Sequence, residues 1–326
     1  MKAFVHEYGT LKLKEMDERV AGDKEVVVAL RTAGLNRRDL YIPNRRGNKA
    51  KALILGSDGA GVIEEMGKDV TRFQIGDEVI VNPALGWFEN SAAPPKGFDI
   101  LGMPNHGTFA EKIVISEEQV EKKPTHLSWE EAGVLSLSAL TAYRALFTKG
   151  KLTKVGTVFI PGAGSGVATY LISFAKNIGA KVIVTSRSEK KRKLALQLGA
   201  DVAIDTNEDW NVALHGETID LIIDSVGRRT FNQSLDVLKH GGRMVVFGAT
   251  TEDVVDFDLR AFFYGQYELV GSTMGSREEL RNMLNHIKTY NTRPIVDSVY
   301  SLDDIQTAFD YLKANKQFGK IAIQID

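Results

Sequence analysis

No stretch constrains the fold of this chain more than Gly156–Lys191, GTVFIPGAGSGVATYLISFAKNIGAKVIVTSRSEKK. A short apolar strand, Thr157–Ile160, runs into a turn with almost no side chains, Gly162-Ala-Gly164-Ser-Gly166. An apolar helix follows from Val167 to Ile178, then a second strand at Lys181–Thr185. Strand, turn, helix and strand in that order make a βαβ unit. Its bare turn lets backbone N–H groups approach a pyrophosphate, and the positive end of the helix dipole adds to the attraction. Ala168 stands where the last glycine of the fingerprint would fall, and alanine still permits close helix–strand packing.

Sites of this type usually place an acid after the second strand, where it holds the adenosine ribose 2′-OH. Here the strand runs into Ser186-Arg187-Ser188, with Lys190, Lys191 and Arg192 behind. Guanidinium and ammonium groups suit a 2′-phosphate better than a bare hydroxyl. The segment therefore reads as a site for NADP(H). The blander alternatives are a glycine turn in some other α/β protein and a solvated basic helix start at Arg187 and Lys191.

At 326 residues the chain exceeds one compact core of ordinary size, so two domains are expected. Its net charge of −1 offers no field for nucleic acid or an anionic membrane. There is no cysteine, which excludes disulfides, thiol catalysis and cysteine-ligated zinc on chemical grounds. The six histidines are scattered without metal-ligand spacing. MKAFVHEYG reads as a strand, not a signal peptide, and no apolar run reaches membrane-spanning length, so the expectation is a cytoplasmic protein.

The first third is β-rich: Lys2–His6, Leu11–Glu15, Glu25–Thr32, Val62–Met66 and Glu78–Asn82 alternate or carry β-branched runs. The glycines between them mark bulges and bends of a small curved sheet. Gly86–His106 has no period and reads as a long surface loop, with strands returning at Thr108–Ile115 and Gln119–Lys122. Ser128-Trp129-Glu130-Glu131 is a capping box that opens a helix to about Gly133, and a second helix is expected over Ser138–Lys149. Beyond the βαβ unit, helices and strands alternate to Phe247, the signature of a parallel sheet covered by helices. Helices at Arg277–Lys288 and Ser301–Asn315 and strands at Ser298–Tyr300 and Lys320–Gln324 close the chain. The fold class is thus α/β, with a nucleotide domain at 123–272 set between β-rich pieces at 1–122 and 273–326.

Ordered motifs along the whole chain resemble the medium-chain dehydrogenase/reductases, specifically their zinc-independent quinone oxidoreductase-like branch. They include AGLNRRDLY (Ala33–Tyr41), GSDGAGVIEEMGKDVTRFQIGDEV (Gly56–Val79), AGVLSLSALTAYRAL (Ala132–Leu146), the glycine turn, and LGAD (Leu198–Asp201). DLIIDSVG with SLDVLKHGGRMVVFG (Asp220–Gly248), GSTMGSREEL (Gly271–Leu280), SLDDIQTAFDYL and FGKIAIQ complete the pattern. The resemblance implies a GroES-like catalytic domain and a Rossmann doubly wound domain, with the active site in the cleft between them. Zinc-dependent members hold their metal with a Cys, a His-Glu pair and a second Cys. Those places fall on Asn36, Ser57-Asp58 and Leu137, which cannot make a tight tetrahedral zinc site. No metal is expected.

Hydride delivery to an enone or quinone builds negative charge on a carbonyl oxygen, which then needs a donor. By the family pattern Asn36, Asp39 and Tyr41 face the substrate, with Tyr41 as the candidate donor and Asn36 orienting substrate or ribose. Arg38 replaces the proton-relay hydroxyl of zinc-dependent relatives. Arg45–Ala52 lacks a second tyrosine that many reductases of the family carry. For the cofactor, Thr141 resembles the threonine on the nicotinamide side. Gly162, Ala163, Gly164, Ser165, Gly166 and Val167 cradle the pyrophosphate, and Ser186, Arg187 and Lys191 meet the 2′-phosphate. Thr206 stands where relatives often have a tyrosine. Ser225, Phe247, Gly248 and Ala249 resemble the strand ends lining adenosine and nicotinamide. Trp87, Phe88 and Phe98 either stack a flat substrate ring or anchor their loop. The resemblance implies an NADPH-dependent reductase of a quinone, enal, enone or other activated carbonyl. Two alternatives stay open: a zinc-free alcohol dehydrogenase-like carbonyl reductase, and a weakly catalytic NADPH-binding sensor or structural protein. The partners expected are a small-molecule substrate and a second copy of the chain, joined through the apolar segment Phe262–Val270, with no nucleic acid and no membrane.

Overall fold

The computed structural model describes residues 1–325. They divide into two compact units, Met1–Leu140 with Gly275–Asp326, and Thr141–Met274.

The first unit is built on an antiparallel-rich sheet in the order Val120–Lys122, Glu78–Val81, Asp58–Met66, Glu25–Leu35, Lys320–Gln324, Val296–Ser301. Lys112–Ser116 pairs with the first half of Glu25–Leu35, and Lys320–Gln324 takes over along its second half. The strand Glu25–Leu35 is therefore central for its whole length, and its burial on both faces explains the run VVVALRTAGL. A register break between Leu30 and Thr32 bends it. A side chain at Gly61, opposite that bend, would put Cβ 2.1 Å from the Ala29 carbonyl oxygen, so only glycine fits there. One apolar core gathers Phe4, Leu35, Ile42, Leu55, Phe109, Phe309 and Ile323; another gathers Val28, Leu30, Ile63, Val79 and Val120.

The capping box forms as expected: Ser128 Oγ accepts the Glu131 N–H and the Glu131 carboxylate accepts the Ser128 N–H. The helix it opens, Trp129–Gly133, lies against Gly34, where a Cβ would stand 2.8 Å from the Gly133 carbonyl oxygen. That close approach ties 123–140 to the first unit, so the chain passes to the nucleotide unit after Leu140 and not at 122/123. The expected helix Ser138–Lys149 starts earlier, at Ser136, and after Tyr143 widens into a π-turn over Arg144–Lys149. Gly86–His106 is not wholly irregular, since Ala84–Leu85 and Asp99–Ile100 pair as a short hairpin. Trp87 is buried in it, edge-on to Phe98 at 5.2 Å, and Phe88 lies under the Arg277 guanidinium. These aromatics anchor the loop.

The second unit is a six-stranded, all-parallel sheet in the order Val202–Ile204, Lys181–Thr185, Thr157–Ile160, Ile219–Asp224, Leu238–Val246, Glu268–Gly271. Numbered by chain order within the sheet, this is 3-2-1-4-5-6, the Rossmann arrangement with its switch point beside Thr157–Ile160. The short helices Trp210–Ala213 and Leu259–Gly265 were not expected. The second of them claims Phe262, so of the apolar segment Phe262–Val270 only 268–270 is strand, the start of Glu268–Gly271.

Candidate active-site residues of the two units

In the nucleotide unit, Gly162 and Gly164 have φ of +84° and +112°, conformations that a side chain strains. The turn is anchored from the neighbouring strand, with Gly162 N–H donating to Thr185 Oγ1 and Ala163 N–H to Thr185 O. Ser165 Oγ accepts the Ala168 N–H and caps the helix Gly166–Asn177. Gly166 and Val167 open that helix, where first-turn N–H groups have no intrahelical acceptor. This is the geometry that binds a phosphate, and the residues present fit a dinucleotide.

At the end of Lys181–Thr185, Ser186 is buried and its Oγ accepts the Ser188 N–H. Arg187 is exposed, with no hydrogen bond or ion pair among the described residues. Arg192 is committed elsewhere: it donates to Ser186 O and Asp205 Oδ2, both at 2.6 Å. Asp205 is the acid that Arg192 pairs with at this corner. The Asn207 N–H and the Arg192 guanidinium hold its carboxyl below the usual range. Lys191 is half-buried on the first turn of Glu189–Leu198. Thr206 donates to Thr185 Oγ1, which places its hydroxyl beside the glycine turn. Ser225 O accepts the Thr250 N–H, and Phe247, Gly248 and Ala249 lie half-buried at the same strand ends. Between them Asp224 is buried, accepting from Val226 N–H, Gly227 N–H and Thr230 Oγ1. Burial raises its pKa, and its role is to fix this turn. Thr141 is buried, with its hydroxyl 4.0 Å from Met274 Sδ.

In the first unit the strand registers bring three chemistry-bearing residues together. Gly34 lies opposite Asp58 on one neighbour, and Leu35 opposite Ile321 on the other. One residue further on, Asn36 falls beside Lys320. The Lys320 ammonium, 3% exposed, donates to Asn36 Oδ1 at 2.5 Å, Asp58 Oδ2 at 3.0 Å and Ser138 Oγ at 3.2 Å. Asn36 Nδ2 donates to Asp58 Oδ2 at 2.9 Å and to Gly34 O at 3.2 Å. The other Asp58 oxygen accepts the Leu137 N–H at 2.6 Å. Arg38 donates to Ser57 Oγ at 2.6 Å and Leu101 O at 2.8 Å.

Asn36 is thus saturated on both its oxygen and its amide hydrogens, so it holds the protein together here and has no donor left over. Asp39 does not face a substrate. It is fully buried in the turn Arg37–Leu40, which bends its Oδ2 back onto the Asn36 N–H at 2.8 Å. Its other oxygen has no partner. Burial first, against the opposing pull of Arg38 and Lys320, pushes its pKa up to about 6. Tyr41, which ends the turn, is 40% exposed, and its hydroxyl has no partner among the described residues. Lys320 and Ser138 were missed by sequence reading. The one available signal was a lone cation directly before the apolar strand IAI.

The raised Asp39 predicts a pH effect on stability. The folded state binds this proton more tightly than the unfolded chain, so stability is greatest where Asp39 is protonated and falls as pH rises from about 4 to about 6. A carboxyl lifted from 3.8 to about 6 accounts for up to about 3 kcal/mol across that window. Asp39→Asn should flatten this part of the profile, as read by urea unfolding of both proteins through the window. An unchanged slope would contradict it.

The zinc positions of the family do not fit a metal. Ser57 Oγ donates to Leu101 O, Leu137 offers an alkyl group, and Asn36 and Asp58 are turned onto Lys320. No group of three His, Cys, Asp or Glu that could hold a metal occurs among the described residues.

A GroES-like sheet joined to a doubly wound dinucleotide sheet defines a two-unit dehydrogenase or reductase. Family models agree: residues 22–125 match the alcohol dehydrogenase GroES-like domain and residues 166–289 the zinc-binding dehydrogenase domain. The zinc-type alcohol dehydrogenase-like protein YogA of Leptosphaeria maculans is 31% identical over 98% of this chain and 95% of that protein. Acryloyl-coenzyme A reductase of Sulfurisphaera tokodaii is 28% identical over 96% of each. A solved NAD-dependent alcohol dehydrogenase superposes with a TM-score of 0.91 at 30% identity, covering all of both chains. The chain belongs to the medium-chain dehydrogenase/reductase superfamily of oxidoreductases, among its zinc-type alcohol dehydrogenase-like proteins. No helix among the described residues is long and apolar enough to cross a membrane.

Proposed function

We propose that this protein is an NADPH-dependent, zinc-independent reductase of quinones or α,β-unsaturated carbonyl compounds. The observation that carries the reading is the exposed, unpartnered Arg187 at the strand end where NAD-specific sites carry an acid. The unfit zinc positions supply the second part, because a carbonyl oxygen gaining charge must then be met by a protein donor. The similarity to acryloyl-coenzyme A reductase supports a conjugated substrate.

The reduced nicotinamide, when bound, supplies the hydride. The chain's own residues do the rest. Gly162–Val167 and the helix they open hold the pyrophosphate, Ser186, Arg187 and Lys191 the 2′-phosphate, and Thr141, Thr206, Ser225 and Phe247–Ala249 flank the bases. Tyr41 donates a hydrogen bond to the carbonyl oxygen as it becomes an enolate or phenolate. NADPH oxidation followed by absorbance against benzoquinones, enals and enones tests the reading. Tyr41→Phe is expected to lower kcat by about ten- to a hundredfold and leave the KM for NADPH unchanged. An unaltered kcat would remove Tyr41 from the mechanism. Wild-type protein that binds NADPH yet reduces none of these compounds would favour the sensor alternative, which draws on the saturation of Asn36 and the burial of Asp39.

A homodimer is part of the same proposal. Glu268–Gly271 is the open edge of the parallel sheet, and Leu269, Phe263 and Tyr264 are exposed on and beside it. Pairing two such edges would satisfy their free N–H and C=O groups. Light scattering on the eluting protein should give twice the chain mass; a monomer mass would end this part of the reading.

A further inference from the structure

We propose that the Lys320 ammonium is an internal cation standing in for the metal of the family's zinc enzymes, and that it positions the Tyr41 phenol. The proposal rests on the reading of Tyr41 as donor given above. Two of the three acceptors on the ammonium, Asn36 and Asp58, are at positions where zinc-dependent relatives carry metal ligands or their neighbours. The third, Ser138, adjoins Leu137, another such position. The acceptors come from three separate elements: the end of Glu25–Leu35, the start of Asp58–Met66, and the helix Ser136–Tyr143. A single cation therefore joins them as a metal would, without needing cysteine or histidine.

An ammonium has three N–H donors, and all three are engaged, so Lys320 cannot itself reach a substrate oxygen. Its charge is balanced by Asp58, so the hub supplies fixed geometry more than a net field. It acts through Asn36. The turn Arg37–Leu40 springs from that residue, Asp39 Oδ2 clamps the Asn36 N–H, and the Tyr41 N–H closes the turn on Arg38 O at 3.0 Å. Freeing the Asn36 side chain loosens the element that carries the phenol.

The test is a double-mutant cycle in the full-length protein, with NADPH and an enone. Lys320→Met should lower kcat about tenfold with the KM for NADPH within about twofold. In the Tyr41→Phe background the same substitution should change kcat less than about twofold, because its route is already gone. Equal losses in both backgrounds would overturn the positioning role. A second measurement guards against a variant that folds poorly. Lys320→Ala should gain thermal stability and turnover from added propylammonium but not from propanol. Absence of any ammonium-specific gain would overturn the internal cation. Propylammonium-dependent stabilisation in a protein whose wild type reduces no enone or quinone would leave the cation standing, while overturning both the positioning role and the proposed activity.

Discussion

Asp58→Ala is expected to unfold the first unit well below the temperature at which the wild type melts. The substitution removes the only carboxylate paired with Lys320 among the described residues and leaves the ammonium 3% exposed. Breaking a buried pair from one side costs about 3–5 kcal/mol, because the remaining charge is desolvated without compensation. The Leu137 N–H and an amide hydrogen of Asn36 lose their acceptors in the same step. For a unit of this size the loss corresponds to a fall in Tm of roughly 10 °C. Calorimetry resolves it, since the Thr141–Met274 unit contains none of these residues. Lys320→Met with Asp58→Asn should lose less than Asp58→Ala alone, because no unpaired charge remains. A Tm within about 2 °C of wild type for Asp58→Ala would show that the ammonium is compensated some other way.

Arg187→Ala should weaken NADPH binding about ten- to a hundredfold and leave NADH binding as it was. The basis is a charge-assisted hydrogen bond to a dianionic phosphate, worth about 1.5–3 kcal/mol, with tenfold in affinity for each 1.4 kcal/mol. Arg187 has no partner within the described protein, so its removal breaks nothing in the fold. The change in affinity can then be read without a stability correction. Arg192 makes the contrast. It lies on the same corner, but Arg192→Ala would free Asp205 and unfasten Ser186 O. Its effect would mix binding with local disorder. Titration of both variants with each cofactor, followed by nicotinamide fluorescence, separates the cases. Equal loss for NADPH and NADH in Arg187→Ala would mean that the guanidinium does not read the 2′ position.

Local chemistry was what the sequence displayed. The glycine turn, the capping box at Ser128 and the strand–helix alternation of the nucleotide unit each lie within a few residues, and each appears where periodicity and turn residues put it. The burial of Asp39 was hidden because it depends on a tight turn that apolar spacing does not mark. The hub at Lys320 was hidden for a different reason. Its contacts with Asn36 and Asp58 span 284 and 262 residues, and no local pattern carries that information. Trp87 and Phe98 show a third cause. A glycine- and proline-rich stretch suggests exposure, yet Trp87 is buried inside it, edge-on to a half-buried Phe98. The segment 123–140 was assigned across the boundary because its helix signals resemble those of the nucleotide unit. Its place is revealed by long-range contacts, the bare Gly34 beneath Gly133 and the Leu137 N–H on Asp58.

The pairing of Lys320–Gln324 with the second half of Glu25–Leu35 also bears on how the molecule is made. During synthesis the whole of Thr141–Met274 emerges after one of these strands and before the other. A growing chain can complete the parallel sheet while the earlier sheet still has an unpaired edge through its middle. That gap is the second half of the strand, Thr32–Leu35, because Lys112–Ser116 already covers the first half, and open strand backbone of this kind recruits foreign partners. The ribosome-bound form should therefore be the species most dependent on chaperones, until the final strand zips into place and closes the gap.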